Sequence, residues 1–160
     1  MILDKSHPTQ PYADDQRFSH LIAKAHEAGF RLTPQRRAVL RALLFSDNHP
    51  GAEELFRQVK GEYPDLSLAT VYKCLDMLKV MGEVLQLEFR DGSSRFDGRR
   101  PASHAHVICT RCSAIEDATA DPFTWCSNNV SAETGYRLNR YRFDLYGLCP
   151  ACQAQATRQK

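Results

Sequence analysis

The chain has 160 residues, 42% of them apolar and 25% charged. That describes a folded protein of one ordinary domain or two small ones and excludes an extended disordered chain. No apolar run approaches the roughly 20 residues of a membrane helix. The polar start Met1–Gln16 lacks the charged-then-apolar layout of a secretory signal, so a cytoplasmic location without membrane partners is expected. The net charge is +2, from 21 Lys+Arg against 19 Asp+Glu, so any charge that serves nucleic acid must be local. Six cysteines are too few for a disulfide scaffold, and with no secretory signal they are expected to be metal ligands rather than bridges.

Residues 1–17 read as a flexible leader. Phe18, Leu21, Ile22, Ala25 and Ala28 recur at helical spacing, and Gly29 can end that helix. Thr33 can cap a second helix that opens on Pro34 and carries Val39, Leu40, Leu43 and Leu44 on one face. A third helix is expected over Ala52–Tyr63, broken by Pro64. Ser67 caps a fourth that ends near Gly82. The period then changes: Glu83–Phe89 and Ser94–Asp97 read as strands joined at Asp91-Gly92. Four helices followed by a hairpin describe a winged helix-turn-helix over 18–97, and 98–103 is the candidate hinge. Residues 104–160 predict a small α+β domain. Its strands are Ala105–Thr110, Ser113–Glu116 and a long alternating Tyr136–Tyr146, with a helix over Pro122–Glu133.

Two knuckles, Cys109-Thr-Arg-Cys112 and Cys149-Pro-Ala-Cys152, flank this second domain. Two intervening residues let both thiolates of a knuckle reach one ion, and two knuckles complete a closed tetrahedron of sulfur that suits structural Zn²⁺. An iron–sulfur cluster is the competing use of four cysteines. Cys74 and Cys126 have no partner at ligand spacing and are expected to pack. His104 and His106 alternate along a strand and therefore share a face. With His49, Asp97 and Asp117 they offer nitrogen and oxygen donors suited to Fe²⁺, Mn²⁺ or Zn²⁺.

Between Glu27 and Asp47 lie four arginines, Arg31, Arg36, Arg37 and Arg41, and no acidic residue. An uninterrupted single sign suits phosphate contact. Thr70, Tyr72 and Lys73 stand near the start of the fourth helix, where a recognition helix meets the major groove. Arg31, Arg36, Thr70, Tyr72 and Lys73 are therefore the candidate DNA contacts.

Six segments then converge. Arg31-Leu-Thr-Pro-Gln-Arg36, His49-Pro-Gly-Ala-Glu-Glu-Leu-Phe56, Ser67-Leu-Ala-Thr-Val-Tyr72, Ser94-Arg-Phe-Asp97, His104-Ala-His106 with the first knuckle, and Leu145-Tyr-Gly-Leu-Cys149 together resemble the ferric uptake regulator family of metal-dependent repressors. The resemblance runs from about Phe18 to Cys152 and is nearest to the family's peroxide-responsive branch, because Asp stands at 97 and 117. It implies a homodimer on double-stranded operator DNA. It makes Cys109, Cys112, Cys149 and Cys152 structural zinc ligands, and His49, Asp97, His104, His106 and Asp117 ligands of a regulatory Fe²⁺ or Mn²⁺. In that branch peroxide, the only small molecule acted on, oxidises a ligand histidine, His49 or His104, in a single-use reaction that does not make the protein an enzyme. Iron-responsive and zinc-responsive uptake repressors are the alternatives within the family. A metal-dependent hydrolase is the rival from another class, but the chain has no His-Glu-x-x-His spacing for it. A plain structural zinc adaptor would leave the histidines without a role.

Overall fold

The computed structural model describes residues 14–46, 48–89, 91–119, 123–138 and 141–157. The chain forms two compact units, Met1–Ser46 with Pro50–Arg99, and Asp47–His49 with Arg100–Lys160. Gly98 and Arg99, expected in the hinge, thus belong with the first unit, and His49 belongs with the second.

The first unit contains α1 (Asp14–Glu27), α2 (Pro34–Leu44), α3 (Ala52–Lys60) and α4 (Leu68–Val80), then β1 (Leu85–Glu88) and β2 (Ser94–Asp97). This is the winged helix-turn-helix order. α1 begins four residues before the expected Phe18, with Asp15 in a first turn that favours acidic side chains. It closes as a Schellman motif: Gly29 takes φ +79° and the Phe30 N–H donates to the Ala25 carbonyl at 2.8 Å. Thr33 and Ser67 cap α2 and α4 as expected, each accepting from the N–H three residues on. α3 stops at Lys60 instead of Tyr63, where Gly61 caps it. β1 and β2 pair antiparallel from Leu85↔Asp97 to Glu88↔Ser94.

Leu21, Val39, Leu40, Leu43, Leu55, Val71, Leu75, Leu78 and Phe96 form the core of this unit. Burying each such side chain is worth about 1.5–3 kcal/mol before entropy. Cys74 packs among them, and its Sγ donates to the Arg36 carbonyl at 3.7 Å. At the edge of the core, the buried Glu83 pairs with Lys24 and, at 3.3 Å, with Arg17. Arg17 Nε also donates to the Gly98 carbonyl at 2.7 Å. One arginine therefore fixes α1 to the chain that leaves the wing.

The second unit is a three-stranded sheet of β3 (Ala105–Cys109), β4 (Ile115–Asp117) and β5 (Phe143–Gly147), in the order β4-β3-β5. β3 and β4 are antiparallel. β3 and β5 are parallel, which requires a crossover, supplied by α5 (Phe123–Thr134). The expected long strand from Tyr136 is reduced to Phe143–Gly147. Residues 136–138 and 141–142 are irregular, because only five residues of β3 are available to pair. A helix that the sequence reading missed, α6 (Pro150–Thr157), follows. Pro150 at its first position is the signal that marks it. Residues 1–13 of the expected leader, and the side chain of Cys126, lie outside the described residues.

Two outcomes follow from this packing. A Cβ on Gly98 would lie 2.8 Å from the buried Leu43 Cγ, so Gly98→Ala should cost about 1–3 kcal/mol, read as a lower urea midpoint. Gly61→Ala, with nothing within 4 Å of the new Cβ, should leave the midpoint near wild type. Burial pushes the Cys74 thiol up to about 12, so in the native protein at pH 8 it should resist iodoacetamide and become labelled only on unfolding. Rapid native labelling of Cys74 would contradict this.

Candidate metal centres and nucleic-acid surface

The parallel pairing of β3 with β5 brings the two knuckles to one end of the sheet. Cys109 ends β3 opposite Gly147, Cys112 follows in the next turn, and Cys149 and Cys152 follow β5 at the start of α6. That turn holds Ser113 at φ +59°, tied back by its N–H to the Cys109 carbonyl at 2.9 Å. One sulfur from each of the four cysteines lies within 4.8 Å of the others. Cys112 Sγ and Cys149 Sγ are 3.7 Å apart, far beyond a disulfide. It matches the edge of a tetrahedron with Zn–S bonds of about 2.3 Å, which is about 3.8 Å. Backbone N–H groups, that of Cys149 first, hold the Cys109 thiol down to about 6, so it is thiolate at neutral pH. Burial pushes the Cys152 thiol up to about 12. The four groups cannot all be thiolate without a cation, and a closed sulfur set of this size fits a structural Zn²⁺.

Within the second unit, His49, His104, His106 and Asp117 also converge, one ligand atom of each lying within 4.8 Å of the rest. β3 supplies His106, the residue before it supplies His104, and β4 supplies Asp117, which pairs with His106 in register. That register puts Glu116 on the exposed face opposite Val107, so the aspartate and not its glutamate neighbour joins the histidines. His49 Nε2 and His104 Nε2 each stand 3.0 Å from Asp117 Oδ1, and His106 Nε2 is 3.9 Å from the same oxygen. Arg100 Nη1 lies 3.7 Å from Asp117 Oδ2. His104 Nδ1 contacts the Ala102 carbonyl at 2.9 Å, and donation there leaves Nε2 as the donor atom facing the cluster.

The electrostatics match a cation site. Burial works against charge on His104, yet Asp117 and the Ala102 carbonyl outweigh it and raise its pKa. Burial also opposes the Asp117 carboxylate, but contact with His104 and His49 drives its pKa well below the usual carboxylate range. Burial, with the neighbouring His104 and His49, pushes His106 down to about 4, so this imidazole is neutral at pH 7. Both its ring nitrogens are buried without a hydrogen-bond partner. Nitrogens aimed at one carboxylate oxygen need either protons or a cation, and this hard-to-intermediate donor set suits Fe²⁺, Mn²⁺ or Zn²⁺. Asp97 lies in the first unit, buried at the end of β2, where its Oδ1 accepts from the Arg99 N–H at 2.8 Å.

The candidate DNA contacts all lie in the first unit. Tyr72 and Lys73 are exposed on α4, and Thr70 meets Ser67 Oγ at 2.9 Å. Tyr72 donates its hydroxyl to Glu53 Oε1 on α3 at 2.9 Å, a partner that sequence reasoning missed. Arg31 is exposed before α2, and Arg36 Nη1 donates to the Arg31 carbonyl at 3.0 Å, linking those two. Arg41 instead stacks on Phe45 and Phe18, with guanidinium-to-ring distances of 4.8 and 5.6 Å, and points toward α1.

Comparison with known proteins places this geometry in context. The family model described as the ferric uptake regulator family matches residues 27–146. The peroxide-responsive repressor PerR of Staphylococcus aureus is 36% identical over 132 residues, covering 82% of this chain and 88% of that protein. The ferric uptake regulator Fur of Helicobacter pylori shares the fold with a TM-score of 0.74 at 21% identity, over 89% of this chain and 95% of that one. A zinc uptake regulator complexed with zinc and DNA superposes with a TM-score of 0.66 at 25% identity, over 91% of this chain and 99% of that one. With a metal-type donor cluster in one unit, a winged helix in the other, and a family match that spans most of its length, the chain belongs to the ferric uptake regulator family, whose members are transcriptional regulators and not enzymes.

Proposed function

We propose that this protein is a homodimeric, metal-dependent repressor that binds double-stranded operator DNA and is released from it by peroxide. The observation that carries the reading is the convergence of His49, His104, His106 and Asp117 inside one unit. His49 is bracketed in sequence by α2 and α3 of the other unit. An occupied site therefore restrains the chain before α3 and again after the wing. Asp97, at the end of the wing, is the fifth ligand in this reading, and through it and His49 the ion fixes the orientation of the DNA-binding unit. The closed orientation binds the ion better, so the ion shifts the population toward it. Two α4 helices of a dimer are then set about 34–36 Å apart, to enter successive major grooves. Thr70, Tyr72 and Lys73 reach the groove, and Arg31 and Arg36 the phosphates.

Cys109, Cys112, Cys149 and Cys152 hold a structural Zn²⁺ that secures the second unit. The outer face of its sheet supports dimerisation. Val107 and Leu145 pair across the parallel ladder, both more than 40% exposed, and Phe143 lies beside them. Peroxide sensing is favoured over iron sensing by the similarity to the S. aureus PerR and by Asp117 in place of a glutamate. Zinc sensing is disfavoured because no sulfur joins the cluster among the described residues. Bound Fe²⁺ would supply one-electron reduction of peroxide beside the imidazoles. The chain's part is to hold His49 and His104 against the same carboxylate oxygen, so that a ring carbon of either can take up one oxygen of peroxide, the other leaving as water, and the oxidised ring donates poorly to an ion.

Chelation of the regulatory metal should abolish operator binding in a gel-shift assay, and Mn²⁺ should restore it. His104→Ala should lower affinity at least tenfold with the zinc site intact. Peroxide should release the Fe²⁺-loaded but not the Mn²⁺-loaded protein and add one oxygen to a peptide holding His49 or His104. Iron-dependent binding that survives peroxide would favour the iron-responsive reading. Because the raised His104 pKa means that a proton competes with the ion, Mn²⁺ affinity should fall as pH drops through the histidine range. Titration calorimetry in two buffers should show proton release. Affinity that is independent of pH between 6 and 8 would contradict the assignment.

A further inference from the structure

Asp144 is a carboxylate for which neither the fold nor the proposed ligand set has a use. It sits in the middle of β5, directly paired with His106 of β3 across the parallel ladder. Paired residues of a parallel ladder project to the same face of the sheet. Its side chain is only 11% exposed. Arg142 Nε donates to its Oδ2 at 2.7 Å, and the Tyr146 hydroxyl reaches the same oxygen at 3.4 Å. The other oxygen, Oδ1, is buried and has no hydrogen-bond partner.

His106 presents the complementary deficit. It is 1% exposed, and neither ring nitrogen has a hydrogen-bond partner. Its Nε2 lies 3.9 Å from Asp117 Oδ1 and is the nearer of its two nitrogens to that oxygen, which makes Nε2 the nitrogen to meet an ion in the donor cluster. A buried N–H and a buried carboxylate oxygen each lose free energy when left unmade. Asp144 does not belong to the set of mutually close ligand atoms, so it stands outside that set.

We propose that Asp144 is a positioning residue for the regulatory metal site: its Oδ1 accepts from His106 Nδ1–H, fixing the ring so that Nε2 points at the ion. The assignment rests on the regulatory-metal reading for its function; no nitrogen of His106 lies within 4.0 Å of Asp144, so the bond forms by a turn of one of these two side chains. A carboxylate behind a ligand imidazole locks one tautomer, makes the donor nitrogen more basic and stops the ring from turning. Arg142 and Tyr146 serve the same end, because by holding Oδ2 they leave Oδ1 as the free acceptor.

The test uses the full chain with its knuckle zinc retained, as wild type, Asp144→Asn and Asp144→Glu. In ¹⁵N-histidine-labelled protein stripped of regulatory metal, long-range proton–nitrogen spectra should show His106 protonated at Nδ1. The Asn variant should shift that signal upfield or convert the tautomer. Mn²⁺ dissociation constants, read by titration, should rise roughly 10–100-fold in Asp144→Asn. Asp144→Glu should recover most of the loss, and circular dichroism should be unchanged in all three. A His106 without a proton on Nδ1, an Asn variant that binds Mn²⁺ within twofold of wild type, or a loss that Glu does not recover would each overturn the assignment. Wild-type protein that takes up no Mn²⁺ would defeat the regulatory-metal reading instead, while the His106 signal of the metal-free protein would still decide the pairing.

Discussion

The second unit depends on the register of β3 between its two neighbours. Pairing with β4 sets His106 against Asp117, and pairing with β5 sets Cys109 against Gly147 and His106 against Asp144. A strand has a period of two, so a slip of one residue in β3 would turn His106 outward and shift Cys109 from Gly147, and one in β4 would bring Glu116 in for Asp117. Both donor clusters, one of sulfur and one of nitrogen and oxygen, hang on five residues of one central strand. A Zn²⁺ held by the knuckles, as proposed, would in turn secure this register by tying the turn after β3 to the residues after β5. A small sheet with little apolar core gains from such a staple.

The first unit is stabilised differently. Its core is apolar and its helix ends are capped by local side chains and glycines, so it has no need of a metal. In the proposed function the two units divide the labour: one would carry the arginines and the recognition helix, and the other the chemistry that responds to its surroundings. The near-zero net charge averages over both. The uninterrupted basic stretch from Arg31 to Arg41 lies wholly in the first unit, although Arg41 is drawn toward Phe18, Phe45 and Asp15 and away from Arg31 and Arg36.

The helical half was legible because its signals are local. Thr33, Ser67, Pro34 and Gly29 mark ends whose hydrogen bonds close within a few residues. The sheet half was less so. Nothing near Tyr136 says that pairing stops at five residues, since that limit is set by the length of β3, far away in sequence. α6 has Pro150 at its start but no run of large apolar residues at helical spacing to announce it. The donor set could be read from histidine alternation and cysteine spacing, whereas Asp144 and Glu53 could not. Their roles come from pairing across a ladder and between helices, and neither leaves a trace in local spacing.

Metal-dependent switching requires a nitrogen-and-oxygen site distinct from the thiolate site. Fe K-edge X-ray absorption on protein loaded anaerobically with one Fe²⁺ per chain, its zinc retained, measures this directly. It should show only light first-shell ligands at about 2.0–2.2 Å with the multiple-scattering pattern of about three imidazoles. Iron–sulfur scattering near 2.3 Å, or a shell without imidazole, would contradict the assignment of His49, His104 and His106 to the regulatory ion.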